Sequence, residues 1–572
     1  MKLKNIILSI VFVSVVNSCS FFDIPPQVIP AEDYYKTPTD VFNGMTGVYG
    51  VMNNEAFYGS YYSLMCSNID DLCHYNRSST TNYTNTYEHD AGTMEIYAAW
   101  TEIYKGIRNA NFFLSIVPET GLDADGRMTN EVKFLRAYYY FILAQAWGNV
   151  PLRTEPTESH KDVTCAATSQ YQVLKWAADQ MEECVKFYKN LYAEHPAYEM
   201  EDLNEAPSRV CLNTVKGILA RVYLFMAGAS VEIEDADLSK SYFYAMAKNH
   251  AWDIISSEKH SIENSDYAQI FKNMISGVYD RSHRVSMWEV DFAGDRSSYD
   301  NWSNGRIGDL LGLQSSGSGN FADFKCNFAY GQYNGTQKLW DLYWIEDRTA
   351  GEASNKTEIT DKRQQWNLPP YNYAGLTEIV KLTDENGKQR DTVIVKIRPS
   401  IDTCYYFSTL VREGKSDTTL LAKDNPTLVP TKRNCGKFRR EVEYEGVLDA
   451  KRLYTGINFP ILRYADVLLM YVEAALELDG TMAWDQLLQV RQRAGIDTDQ
   501  TQYAGVAEFR TLVKNERARE FCFEATRKYD LIRWGDFLKA MSDYKVTEKH
   551  LLLPIPAIEL GVNSELKQNK GW

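Results

Sequence analysis

The chain has 572 residues, enough to bury a large core, and it carries a formal net charge of −15 at pH 7. Phosphate binding needs clustered basic residues, which the sequence lacks, so the composition excludes a nucleic-acid partner. Aromatic residues make up 13% of the chain, and 38 tyrosines outnumber 24 phenylalanines. Because tyrosine joins an apolar ring to a polar tip, this excess favours surfaces that are half apolar and half wet.

The first residues have the pattern of a secretory signal. Two lysines precede an apolar run at 6–16, and small residues then lead to Cys19. The run is too short to span a bilayer as a permanent helix. A cysteine directly after the expected cleavage position resembles a bacterial lipobox. We therefore predict a signal peptide at 1–18, lipidation of Cys19 and a membrane anchor made by that lipid, with simple secretion as the alternative.

The remaining cysteines and the histidines show no metal or catalytic pattern. No Cys-x-x-Cys pair, zinc-finger spacing, His-Glu-x-x-His motif or Gly-x-Ser-x-Gly elbow occurs. We predict no metal, no cofactor and no enzymatic activity. Cys66 and Cys73 could form a disulfide in an exported protein, whereas Cys184, Cys211 and Cys522 fall in helical patterns and are most simply small buried hydrophobes.

Helices are predicted towards both ends of the chain. In seven segments apolar residues recur at steps of three and four, which indicates amphipathic helices. The segments are 93–117, 131–147, 171–188, 213–227, 242–255, 461–478 and 509–528. Their arrangement is typical of tetratricopeptide-like helix pairs, although no regular 34-residue repeat occurs.

The helical period fades between 258 and 458. Residues 284–290 and 392–397 are predicted to be short strands, and glycine- and serine-rich loops lie between them. A second irregular stretch, 58–89, is rich in Tyr, Asn, Ser and Thr. Since long loops in compact proteins are often functional, we expect ligand binding in these two regions.

The stretch 515–537, NERAREFCFEATRKYDLIRWGDF, concentrates charge among aromatic rings. Glu516, Glu520 and Glu524 are spaced to share one face of a helix. A retaining glycosidase needs two carboxyls about 5 Å apart, one with a raised pKa. Here each acid has cations within a turn, which lower its pKa. The pattern favours an ion-paired helix over an active site.

A second element, FPILRYADVLLMYVEAALELDG, places charges in an apolar helix. Buried charges are costly unless they are paired, so we predict ion pairs between helices, for instance Glu473 with Arg517 or Arg519. The predicted structural ion pairs involve Arg463, Glu473, Arg517, Arg519, Glu520 and Glu524.

Six segments together resemble the SusD/RagB family of outer-membrane lipoproteins. They are CSFFDIPP, FLRAYYYFILAQAWGNVPL, VKGILARVYLFMAG, ILRYADVLLMYVEAA, NERAREFCFEATRKYDLIRW and LLLPIPAIELGVNSELKQNKGW. The segments occur in the family's order and cover both ends of the chain. The region 258–458 carries little of the resemblance.

The resemblance implies a mostly α-helical fold, in which tetratricopeptide-like helix pairs form an α-α superhelix that supports a loop-rich, partly β insertion. Residues 19–257 and 459–572 would form the scaffold, and 258–458 the variable region. It further implies a non-enzymatic, surface-exposed nutrient-binding lipoprotein of the outer membrane, acting as lid and partner of a SusC-like TonB-dependent transporter. The ligand would be a glycan, or a peptide as in the RagB branch.

Two stretches offer the groups that a glycan needs, aromatic faces beside polar side chains. They are 68–89 and 302–344, and in the resembling family the corresponding loops supply the ligand platform. Any single tyrosine there can instead be a packing residue. The candidate ligand-binding residues are Asp71, Tyr75, Arg77, Tyr83, Tyr87, Trp302, Tyr330, Tyr333 and Asn334.

Overall fold

The computed structural model describes most of the chain and is mainly helical. The described residues are 34–76, 83–157, 164–293, 305–315, 327–345, 361–369, 371–383, 389–401, 407–412, 415–420, 433–440, 443 and 453–572. The predicted signal peptide and Cys19 lie outside them, as do Arg77 and Trp302.

Eight α-helices lie before position 277 in the residues that the structure describes. They are α1 (Pro38–Tyr49), α2 (Met94–Thr120), α3 (Arg127–Trp147), α4 (Gln170–Glu194), α5 (Pro196–Asn204), α6 (Leu212–Met226), α7 (Lys240–Ile255) and α8 (Tyr267–Ser276). The helices that follow are α9 (Ile307–Leu311), α10 (Gln337–Ile345), α11 (Lys362–Asn367), α12 (Tyr464–Asp479), α13 (Trp484–Arg493), α14 (Val506–Phe521), α15 (Arg527–Trp534), α16 (Phe537–Ala540) and α17 (Ala557–Val562).

The long helices pack as successive antiparallel neighbours. Helices α2, α3 and α4 follow one another, α6 packs on α4 and α7, and α12 packs on α7, α13 and α14. Left-handed glycines end two of them, Gly121 after α2 and Gly480 after α12, as the sequence pattern requires. The predicted fold class, mostly α with tetratricopeptide-like helix pairs, is confirmed.

Strands in the described residues form four two-stranded sheets. The strands are β1 (Cys73–Tyr75), β2 (Ser286–Val290), β3 (Tyr333–Gly335), β4 (Tyr371–Thr383), β5 (Gln389–Ile401), β6 (Phe407–Arg412), β7 (Lys415–Leu420) and β8 (Phe459–Arg463). Pairs β4–β5 and β6–β7 are hairpins, whereas β1–β3 and β2–β8 join distant parts of the chain. Strand β2 thereby connects the predicted variable region to the second half of the scaffold.

One small residue on α6 fixes how closely β8 can approach. A Cβ atom on Gly217 would lie 2.4 Å from the side chain of Leu462. Because real Cβ contacts are never that short, a larger residue here would push β8 away from the scaffold.

The predicted helix 509–528 is wrong in one respect. Helix α14 ends at Phe521, and α15 begins at Arg527. Between them Phe523 and Ala525 take positive φ angles of 67° and 57°, so the chain turns. Glu524 therefore lies outside the helix that carries Glu516 and Glu520.

The three glutamates still meet one set of buried cations, which we call the α14 charge cluster. The Arg463 guanidinium donates to Glu520 at 2.8 Å and to Glu524 at 2.9 Å. Arg363 donates to Glu516 at 2.6 Å and to Glu520 at 3.1 Å. Further partners are Arg491 and Arg519 on Glu516, Arg493 on Glu520, Lys437 on Glu524 and Asp361 on Arg363.

Every side chain of this cluster is buried. Burial raises the pKa of Glu520, but the charges of Arg493, Arg463 and Arg363 outweigh it and lower that pKa to about 2. A carboxyl held this strongly in its ionised form is a structural partner and not a general acid.

A second group of ion pairs joins α12, α14 and α15. Arg517 donates to Asp466 at 2.7 Å and to Asp530 at 2.8 Å, and Arg221 also reaches Asp466. The suggested pairing of Glu473 with Arg517 or Arg519 is wrong. Glu473 instead accepts from Arg533 and from the Trp534 indole, because α15 folds back over α12 after the turn at 522–526.

The described cysteines are free, and both Cys66 and Cys73 are buried thiols and not a disulfide. No cluster of three or more His, Cys, Asp or Glu residues that could hold a metal ion occurs in the described parts of the chain. Within those same parts, no helix combines the length and the apolar character needed to cross a membrane.

We expect Glu520→Gln to lower the free energy of unfolding by about 3–5 kcal/mol at pH 7, because three buried guanidiniums lose a counter-charge. The difference should shrink as the pH falls from about 4.5 towards 2, because the unfolded chain then takes up a proton at Glu520 while the native carboxyl, with a pKa of about 2, is still ionised. Urea unfolding followed by circular dichroism measures both.

The control is Asp179→Asn, which breaks an exposed pair with Lys175 on α4. This change should cost no more than about 0.5 kcal/mol. Equal losses for the two variants would show that the α14 charge cluster does not hold the fold.

Candidate ligand-binding site

The two predicted ligand-binding stretches meet in a short antiparallel sheet. Strand β1 pairs with β3, with His74 opposite Asn334 and Tyr75 opposite Tyr333. The rings of Tyr75 and Tyr333 lie edge to face at 5.5 Å. Loops some 260 residues apart in the chain are thus joined into one surface.

Tyr75 and Asn76 form the partly exposed side of this sheet. The Tyr75 hydroxyl donates to the Gln332 side-chain oxygen at 3.0 Å. The Asn76 amide donates to the Gly331 carbonyl at 3.0 Å and to the Asn334 side chain at 3.1 Å. These hydrogen bonds hold the Tyr75 ring beside the side-chain amides of Asn76, Gln332 and Asn334.

Tyr330 lies two residues before Gln332 and is also half-buried. Its backbone nitrogen donates to Asp309 at 3.2 Å, and its ring packs edge to face on Phe328 at 4.8 Å. Asp309 is held by Arg306, which donates to it at 2.7 Å. The backbone that presents Tyr330 is therefore anchored to α9.

A glycine allows the turn between Tyr330 and β3. Gly331 has a φ of 55°, and a Cβ atom there would lie 2.6 Å from the Asn434 side chain. Asn434 also pairs with Asn334 through the backbone and accepts from the Gln314 backbone nitrogen at 3.1 Å. The turn thus brings a third segment, 433–440, against β3.

Buried charges support the start of β1. The Asp71 carboxylate accepts from Arg527 at 2.8 Å and 2.9 Å and from Lys338 at 2.5 Å. Burial opposes ionisation, but the bonds and charge of Arg527, with Lys338, hold the pKa of Asp71 below its usual value. Burial and the Asp71 charge raise the pKa of neighbouring Asp70 to about 8.

Four predicted ligand contacts prove to be internal. Asp71, Tyr87, Tyr333 and Asn334 are buried, the last two with no exposed surface. The Tyr87 hydroxyl donates to the Ile69 carbonyl at 2.6 Å, and the Tyr333 hydroxyl to Asn85 at 3.0 Å. The prediction that these four residues contact the ligand directly is wrong, because other groups of the protein already bind their polar atoms. The four residues instead support the shape of the site.

Tyr75 and Tyr330 are the candidates that the structure leaves partly accessible. Tyr83 begins a short 3₁₀ turn, Tyr83–Thr86, but its side chain is outside what the structure describes. Arg77 and Trp302 are outside it altogether, so these three residues stay predictions.

Sequence reasoning missed Asn76, Gln332 and Asn434. Asn76 and Gln332 adjoin predicted tyrosines, so the alternation of aromatic and amide residues in both stretches was the available signal. No sequence pattern pointed to Asn434, because its role arises only when three distant segments meet.

The described surface offers a ring face, a phenol and amide groups. A sugar presents a C–H face that packs on a ring and hydroxyls that pair with amides, so such a surface can bind a carbohydrate. Its acids, Asp71 and Asp309, are both held by cations.

Two family descriptions match the chain. Residues 286–572 match the one described as SusD family, and residues 29–224 match the one described as starch-binding associating with outer membrane. The matched segments lie in both halves of the helical scaffold.

Individual relatives are similar over the whole length. SusD-like protein P25 of Formosa agariphila is 23% identical, over 100% of this chain and 98% of that protein. A SusD homolog from Bacteroides thetaiotaomicron has a TM-score of 0.75 at 22% identity, over 95% of this chain and 98% of the other. A laminarin binding SusD-like protein has a TM-score of 0.64 at 20% identity, over 94% and 100%. The solved structures show the same fold.

We expect Asn334→Ala to lower the free energy of unfolding by about 1–3 kcal/mol, because it removes buried hydrogen bonds to Gly331 and Asn76. The amides of β1 should also exchange faster with solvent. Hydrogen exchange with mass spectrometry measures the second effect, and urea unfolding the first.

Asn190→Ala on the exposed side of α4 is the matched control and should change stability by about 0.5 kcal/mol or less. Unchanged exchange in β1 of the Asn334 variant would contradict a supporting role for this side chain.

Proposed function

The chain belongs to the SusD family, and we propose that it is a surface-exposed lipoprotein that captures an oligosaccharide or polysaccharide. It binds the glycan without cleaving it and acts as lid and partner of a SusC-like TonB-dependent transporter in the outer membrane. The observation that carries the proposal is the β1–β3 sheet, which joins Tyr75 and Asn76 to Gln332 near Tyr330.

The chemistry of this surface favours an uncharged, hydroxylated ligand. Half-buried rings of Tyr75 and Tyr330 offer packing faces, and the amides of Asn76 and Gln332 offer donors and acceptors. The descriptions of a starch-binding family and of a laminarin-binding neighbour support the same ligand class.

A peptide is the alternative ligand. Peptide capture by added strands needs an unpaired strand edge. At this site β3 is bordered by β1 on one side and by Asn434 on the other, which favours the glycan.

A glycosidase is the less favoured alternative. Its general acid needs a raised pKa. Glu516 and Glu520 of the α14 charge cluster instead have a lowered pKa, because buried arginines surround them. These carboxylates serve the frame and leave the proposed activity as binding alone.

The proposed anchor is the lipid on Cys19, exposed after removal of residues 1–18. The described chain begins at Tyr34, close to α1.

We predict that a matching polysaccharide retards the purified protein in native affinity electrophoresis. Tyr75→Ala, Tyr330→Ala and Trp302→Ala should each weaken binding about three- to tenfold, because each removes a ring face worth roughly 0.5–1.5 kcal/mol. The triple variant should lose the shift. Starch and laminarin are the first polysaccharides to test.

Tyr242→Ala is the control, since this tyrosine is 42% exposed on α7, away from β1 and β3. Retardation by no glycan together with binding of a protein digest would favour the peptide alternative. Release of reducing sugar by the purified protein would overturn the binding-only role.

Cys19→Ala should move the protein from the membrane fraction to the soluble fraction, because the lipid is its proposed anchor. Detergent extraction of the unaltered protein should recover a TonB-dependent transporter on affinity purification, identified by mass spectrometry. A variant that stays in the membrane fraction would contradict lipidation at this cysteine, and purification without a transporter would contradict the lid role.

A further inference from the structure

A separate cavity of about 260 Å³ lies between α1 and β2. Its walls are mostly apolar. Met45, Met52 and Val290 are buried there, and Phe42 is 47% exposed. The cavity shares no lining residue with the surface around β1 and β3.

Two carboxyl groups also line this cavity. Glu289 is buried and Asp291 is partly exposed, and both accept from the side-chain nitrogen of Asn458, at 2.9 Å and 2.6 Å. The Tyr279 hydroxyl donates to Asp291 at 2.9 Å. The hydrogen-bond partners that the structure gives these acids are thus neutral donors.

The ionisable side chains that line this cavity beside Glu289 are Asp291, Arg209 and Tyr49. Asp266, Asp280 and His283 line a polar cavity on its other side. Arg209 lines the apolar cavity, but it is held by Glu131 at 2.5 Å and by Glu205 at 3.3 Å. Its charge is therefore already balanced.

An acid at position 289 works against the stability of the fold. Burial, then the charge of Asp291, raises the pKa of Glu289 to about 7, so folding disfavours the ionised form. A glutamine would keep an acceptor for Asn458 without that penalty. Acids whose pKa is displaced in a cavity are candidates for binding.

A further unsatisfied group lies in the same wall. Trp288 is fully buried and lines the cavity, and its indole nitrogen has no hydrogen-bond partner among the described residues. Buried donors are normally paired, and the ring of Trp288 is held in place by edge-to-face contacts with Phe134 and Tyr138.

We propose that this cavity receives a lysine or arginine side chain of a protein partner. The apolar walls take the methylene stem, and Glu289 and Asp291 meet the cationic end. Charge complementarity favours a basic side chain, since a neutral or acidic side chain would leave both carboxyl groups without a counter-charge.

The test uses N-acetyl-lysine methylamide and its uncharged counterpart N-acetyl-norleucine methylamide, with binding to the purified full chain followed by saturation-transfer NMR at pH 8. The lysine compound should bind at least about tenfold more tightly, because only it balances the acids. Glu289→Gln should abolish the difference. Asp291→Asn is a second variant with the same expectation.

Asp179→Asn is the matched control, because it removes an equal charge from the exposed pair with Lys175 on α4, and neither residue lines this cavity. It should leave the preference unchanged. Equal binding of the two compounds, full preference in the Glu289 variant, or tighter binding of glucosamine than of the lysine compound would overturn the proposal. The glycan assays test a different surface, so each result can fail without the other.

Discussion

Removing Glu516, Glu520 and Glu524 from water is tolerable only because cations from distant segments meet them inside the fold. Arg363 comes from α11, Lys437 from the segment 433–440, and Arg463 from the end of β8. A charge of one sign without the other would be far more costly than any loss of apolar packing nearby. This mutual requirement forces α11, β8, α14 and the segment 433–440 into one arrangement.

The candidate ligand-binding surface around β1 and β3 takes its geometry from that arrangement. Lys437, in the α14 charge cluster, is three residues from Asn434, which borders β3. Arg527, at the start of α15, holds Asp71 just before β1. Both strands of the site are thus fixed to the stretch 516–528, one through a short run of backbone and one through an ion pair. A rigid charged frame lets the rings of Tyr75 and Tyr330 sit partly exposed without collapsing into the core.

Helical periodicity in the sequence was enough to predict the scaffold, and the β1–β3 pairing brings together the two stretches in which ligand binding is predicted. What local patterns could not give was the turn at 522–526, because the positive φ of Phe523 and Ala525 is imposed by tertiary contacts on residues that normally avoid it. Because of that turn, Glu473 pairs with Arg533 and not with Arg517 or Arg519 as predicted. The burial of Tyr333 and Asn334 could not be predicted from the sequence either, since an alternating polar and aromatic pattern fits both an exposed platform and the buried strand beneath it.

The position of Glu516, Glu520 and Glu524 near the C-terminal end has a consequence for the order of folding. Arg363, Lys437 and Arg463 all precede these acids in the chain. A chain exported from its N-terminal end would deliver the cations first and their counter-charges last. In a chain that emerges in that order, the centre of the molecule stays solvated until residues beyond 516 are available, while α2, α3 and α4 can already pack through contacts that are local in sequence. The ligand surface, which joins segments some 260 residues apart, is among the last parts to form.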